Sequence, residues 1–107
     1  MRSQRLWEIR ERVLGELRRL AQELGAVVYL FGSYARGDFV LDSDVDIVVV
    51  SKRFEGVGYL DRVAAVRALL PPDIGFDVIA LTPGEFEERL GSSFYKEISK
   101  YWIKIEP

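Results

Sequence analysis

Asp44 and Asp46 flank a single valine in Asp44-Val45-Asp46-Ile47. Residues i and i+2 of a strand point to the same face, about 6.5–7 Å apart along the chain. Two carboxylates at that spacing repel each other unless a cation lies between them. Two-metal phosphoryl-transfer sites hold their ions roughly 3.5–4 Å apart, a span that adjacent carboxylates on a rigid strand can bridge. Asp77, in Phe76-Asp77-Val78, is a lone acid within an apolar run. If its strand neighbours that of Asp46 and it faces the same way, three carboxylates converge. Its role is then to complete a metal shell and help deprotonate an attacking hydroxyl. Its bland alternative is an edge-strand aspartate facing water.

Phe31-Gly32-Ser33 offers the complementary half of such a site. A strand that ends in glycine and serine and opens a helical turn presents backbone amides to an anion. Glycine admits a phosphate close to the backbone, and the Ser33 hydroxyl adds a donor. Alone, the pair reads as an ordinary turn. Ten residues separate Ser33 from Asp44, enough for one helical turn and a return onto a neighbouring strand. Gly32 and Gly37 have P-loop spacing, but Asp38 stands where a P-loop needs lysine. No G-x-G-x-x-G run supports a dinucleotide site. The chain has no histidine and no cysteine, which removes histidine bases, thiol nucleophiles, disulfides and the usual zinc sites. What remains is carboxylates, hydroxyls, amines, backbone amides and oxygen-ligated ions such as Mg²⁺.

The elements that must position these groups follow from periodicity. Leu6, Ile9, Val13, Leu17, Leu20 and Leu24 repeat at steps of three and four and predict a helix over residues 3–24, stopped by Gly25. Residues 26–31 read as a buried strand, 44–50 as a second strand and 76–81 as a third. Residues 52–58 read as loop. A helix over 59–70 ends at Pro71-Pro72. Thr82-Pro83-Gly84-Glu85 has the form of a helix start, with a threonine cap and a glutamate three residues on. The aromatic tail 94–105 admits a short helix running into a strand, without a firm assignment. A short link between the first two strands favours an antiparallel pair, and the helix before the third permits a parallel one. The expectation is an α+β fold with a mixed three- to four-stranded sheet packed against helices.

Gly32-Ser33-Tyr34-Ala35-Arg36-Gly37, then Ser43-Asp44-Val45-Asp46 and later Phe76-Asp77-Val78, resembles the minimal nucleotidyltransferase branch of the polymerase-β-like nucleotidyltransferase superfamily. The resemblance covers nearly the whole chain, and the combined motif is specific where its pieces are not. It implies the palm-like nucleotidyltransferase fold, a glycine–serine turn that holds the triphosphate, Mg²⁺ on Asp44 and Asp46, and Asp77 assisting the acceptor; with Asp77 completing the shell as its spacing suggests, two ions are expected. ATP as donor follows from the same resemblance. It also implies a partner, a small helical HEPN-domain protein, to which the nucleotidyltransferase stands as antitoxin in a toxin–antitoxin pair, in some systems by moving AMP onto the partner.

Around this core the remaining residues are read as follows. Arg36 contacts a phosphate or the partner, or else is a solvated surface arginine. Ser43 orients the loop entering Asp44, and Asp38 and Asp42 are loop acids in water. Lys52 and Arg53 are left outside the site. Tyr95, Ile98, Tyr101, Trp102 and Ile103 are too apolar for a free tail and close the core or form an interface, an oligomer included. At 107 residues, 49% hydrophobic and 30% charged, the chain is expected to be one domain, residues 1–107. A net charge of −2 argues against direct nucleic-acid binding. No secretory pattern or membrane-length apolar run is evident, so a cytoplasmic protein is expected. Three functions stay open: transfer to a protein partner, transfer to a small hydroxyl compound or RNA end, and a non-catalytic antitoxin that binds its toxin by contact.

Overall fold

The computed structural model describes residues 4–107; the expected helix start at residue 3 lies outside them. Helix α1 (Gln4–Leu24) buries Val13, Leu17, Leu20 and Ala21 along one face. Gly25 ends it at φ 55°, the left-handed cap that glycine adopts without steric cost. Trp7, on the same helix, is 54% exposed. Strand β1 (Val27–Phe31) follows, then a single helical turn, α2 (Ser33–Arg36), and β2 (Val45–Val50). A 3₁₀ turn over Lys52–Phe54 leads through a loop to α3 (Tyr59–Ala68), which stops before Pro71-Pro72.

Strand β3 spans Phe76–Leu81. Helix α4 (Pro83–Arg89) opens on a complete capping box: Thr82 accepts from the Glu85 amide, and Glu85 accepts from the Thr82 amide. The unassigned tail is α5 (Ser93–Ile98) and the short strand β4 (Ile103–Ile105).

The four strands lie in the order β3-β2-β1-β4. β1 runs antiparallel to both β2 and β4, and β2 pairs with β3 in parallel, so the sheet is mixed as expected. Alternation sends Val28 and Leu30 of β1, and Val45, Ile47 and Val49 of β2, into the larger core under α1 and α3. The opposite face carries Tyr29, Phe31, Val48 and Val50, covered by Phe86, Tyr95 and Ile98 with Tyr101 and Trp102 packed alongside. The aromatic tail therefore closes a second core, with Tyr29 stacked on Phe86 at a ring separation of 4.9 Å and meeting Trp102 at a tilt at 4.3 Å. This second layer is why β2 is buried along both faces from Ile47 onward.

Candidate active site

The register of the sheet assembles the acids. Asp46 of β2 lies opposite Asp77 of β3 in the parallel pair, and opposite Phe31 of β1 in the antiparallel pair. Cross-strand partners share a face, so Asp46 and Asp77 stand together on the face of the aromatic core, beyond its cover. Phe31 is the last residue of β1, and the chain leaves the sheet through Gly32 and Ser33 immediately beside Asp46.

Gly32 has φ 72° and ψ −156°, a conformation essentially reserved for glycine. A Cβ there would overlap Asp46 Oδ2. Local backbone and cross-strand packing thus both demand glycine. The Ala35 and Arg36 amides then bond back to the Gly32 carbonyl at 3.1 and 3.0 Å. Gly37, at φ 96°, closes the turn by donating to the Ser33 carbonyl.

Asp44 lies one residue before β2, which differs from the expected strand over 44–50. Pairing begins only at Val45, whose amide donates to the Gly75 carbonyl at 2.9 Å. The Asp44 side chain is exposed and leans on Gly75, where a Cβ would overlap its Oδ1. Gly75 was not singled out by the sequence; a glycine just before an apolar run is its only signal. A cleft of about 230 Å³ opens beside Asp44, between Ile9 of α1, Leu41 and Ile74. Ser43 has the expected structural part, its Oγ accepting from the Val40 amide at 2.9 Å.

The three acids differ in surroundings. Asp46 is half-buried, Asp44 and Asp77 exposed. Burial pushes the Asp46 carboxyl above its ordinary range; the charges of Asp77 and Asp44 push it further, and Arg36 opposes them. Arg36 is not a freely solvated arginine. It donates to the Tyr101 hydroxyl at 3.2 Å, pairs with Asp38 at 3.4 Å and lies 5.5 Å from the Tyr101 ring centre. Tyr101, 65 residues away, had no local signal for this contact. Asp38 is correspondingly an ion-pair partner rather than a loop acid in water alone. Lys52 and Arg53 sit at the opposite end of β2, and Arg53 donates to the Glu23 carbonyl at the end of α1.

The glycine–serine turn, two acids facing each other across parallel strands and a third just before β2 thus lie together at one end of the sheet. The family model for the nucleotidyltransferase domain matches residues 10–105. The chain belongs to that family. This nucleotidyltransferase is 27% identical over 78 residues to the Methanocaldococcus jannaschii protein named "Putative protein adenylyltransferase MJ0141", across 73% of this chain and 76% of the relative. The crystal structure of "a putative nucleotidyltransferase" from Sulfolobus solfataricus matches with a TM-score of 0.62 at 29% identity, covering 81% of this chain and 82% of that one. Another structure, described as "putative nucleotidyltransferase", matches at 0.53 over 90% of this chain and 96% of its own, with 22% identity, a likeness of fold alone. The fold is the polymerase-β-like one that the motif resemblance implied. No helix among the described residues is long and apolar enough to cross a membrane.

The donor set suits a hard divalent cation, since it is carboxylate oxygen throughout. Among the described residues no three acids already stand at the spacing of a metal shell. Burial first, and then the charges of Asp77 and Asp44, oppose ionisation of Asp46, and a cation would offset both. The absence of side chains at Gly32 and Gly75 lets the Asp46 and Asp44 carboxylates lie where they do.

Proposed function

We propose that this nucleotidyltransferase is a metal-dependent adenylyltransferase that moves AMP from ATP onto a hydroxyl of a partner protein. The partner is a small helical HEPN-domain protein, with this chain as the antitoxin of the pair. The observation that carries the reading is the Asp46–Asp77 pairing beside the Gly32-Ser33 turn. The name of the Methanocaldococcus jannaschii relative supports protein adenylylation, and the family resemblance supports the HEPN partner.

In this reading Asp44, Asp46 and Asp77 would hold two Mg²⁺ ions, whose charge would offset that of the triphosphate during nucleophilic attack. The Gly32-Ser33 turn and Arg36 orient the triphosphate by amide, hydroxyl and guanidinium donors. Asp77 accepts the proton of the acceptor hydroxyl as its oxygen forms a bond to the α-phosphorus. The bond from that phosphorus to the bridging oxygen breaks, and pyrophosphate leaves. Arg36, fixed by Tyr101 and Asp38, is preorganised for an anion and has no conformational search to make.

The test is transfer from α-phosphate-labelled ATP with Mg²⁺ into a lysate of the source organism, with wild type beside Asp44→Asn and Asp46→Asn. Label on a protein band with wild type alone is expected. Label on RNA or a small molecule would replace the acceptor class. No label, with a small helical protein captured equally by all forms, would make the chain a contact antitoxin. Transfer by either variant at the wild-type rate would overturn the metal-site assignment.

A further inference from the structure

We infer that Phe94 is the platform on which the nucleobase of the donor nucleotide stacks. The inference rests on nucleotide binding at the Gly32-Ser33 turn. Phe94 is the second residue of α5 and is 48% exposed, whereas Tyr29, Phe31, Phe86 and Tyr95 of the aromatic core are buried. Its ring is not loose. It meets Phe31 edge-on at 5.7 Å and Tyr95 edge-on at 5.2 Å, with interplanar angles of 88° and 86°. Phe31 and Tyr95 are both buried, so two core rings fix the orientation of a third that remains open to solvent. An apolar ring set in this way has lost its own freedom before any ligand arrives.

Its position relative to the acids gives the occupant. Phe31 is the cross-strand partner of Asp46 and the residue directly before Gly32. Opposed strand residues lie about 4.5–5.5 Å apart, so Phe94 stands one aromatic ring beyond the acid site on the same face. A nucleotide whose phosphates sit at Gly32 and Ser33 carries its base about that far away. Phosphate donors and a flat apolar surface are therefore laid out along the sheet in the order of the ligand's own parts. The base is a π-surface, and stacking on an aromatic side chain is the interaction that every base can make. A hydrated phosphate gains nothing from the ring.

The experiment measures binding of α,β-methylene-ATP, which cannot be cleaved to release AMP, and of inorganic tripolyphosphate, both with Mg²⁺. Wild type, Phe94→Ala and Phe94→Trp are compared, with thermal melts as a check on folding. Phe94→Ala should weaken the nucleotide about ten- to a hundredfold and leave tripolyphosphate unchanged. Phe94→Trp should restore the nucleotide. Nucleotide affinity unchanged in Phe94→Ala would overturn the platform. Equal weakening of both ligands would also overturn it, as a structural role. If wild type itself bound neither ligand, nucleotide binding at this site would fall, and the platform with it.

Discussion

Asp46 is the residue on which the metal-free protein is least comfortable. Its carboxyl is half-buried and faces Asp77 and Asp44, and the ionised form is disfavoured first by burial and then by those charges. The sign for stability follows from linkage. An acid whose folded pKa is raised keeps its proton longer in the folded state than in the unfolded chain, so stability falls as pH rises from 3.8 through the raised value. At neutral pH that cost is fully present. Asp46→Asn should therefore melt at a higher temperature than wild type in chelator, with the gain vanishing below pH 3.8. Mg²⁺ should then raise the wild-type melting temperature and leave the variant unmoved, because only a form with the site intact gains from binding. Transfer should fall by more than the roughly 10–100-fold that loss of an outer-shell group costs at a metal site. A variant that melts below wild type in chelator, or that responds equally to Mg²⁺, would remove Asp46 from the metal shell.

The elements deliver these side chains through two glycines that act differently. Gly32 is bound by its own backbone and by Asp46, so Gly32→Ala should cost about 1–3 kcal/mol of stability and displace Asp46 as well. Gly75 has no positive φ, and its only obstacle is the end of an exposed Asp44 side chain, which can swing away. Gly75→Ala should change stability by less than about 0.5 kcal/mol yet cost on the order of 10²-fold in transfer, as misplacement by an ångström does. Denaturant melts and the transfer assay run on both variants separate the two effects; equal behaviour of the pair would refute the distinction. The sequence shows β3 over 76–81 and the α4 capping box because each has a local pattern, an apolar run of strand length and a cap three residues from a glutamate; Asp44, Asp46 and Asp77 stand out as two acids two apart and a lone acid in an apolar run. It could not place β4, whose three residues are extended only because β1 offers an edge, nor Arg36, whose partner Tyr101 is 65 residues away. It set Asp44 on a strand because spacing alone does not reveal that pairing starts at the Gly75 carbonyl.

Across the whole molecule, the strains of the acid site lie at one end of the sheet and a tie lies at the other. Arg62 of α3 is buried and donates to Glu85 Oε1 at 2.6 Å, to Glu85 Oε2 at 3.3 Å, and to the Val57 and Ala80 carbonyls. Glu85 also closes the α4 capping box, so one carboxylate links both helices to the end of β3. The Arg62 guanidinium, with the Thr82 amide, holds the Glu85 carboxyl down at about 2. Here the linkage sign is opposite to that of Asp46. A depressed folded pKa gives stability that is fully present above the unfolded value of 4.5 and is lost as pH falls toward about 2. Glu85→Gln keeps an acceptor for the amide and for Arg62 but cannot titrate. Its melting temperature should be lower than wild type at pH 7, and the gap should close between pH 4.5 and 2. Transfer at neutral pH should persist in the folded variant, since Glu85 lies at the end of the sheet away from the acids. A gap constant across that range would show that the ion pair does not set the acid limb. A variant equally stable but inactive would show that the two ends of the sheet are coupled.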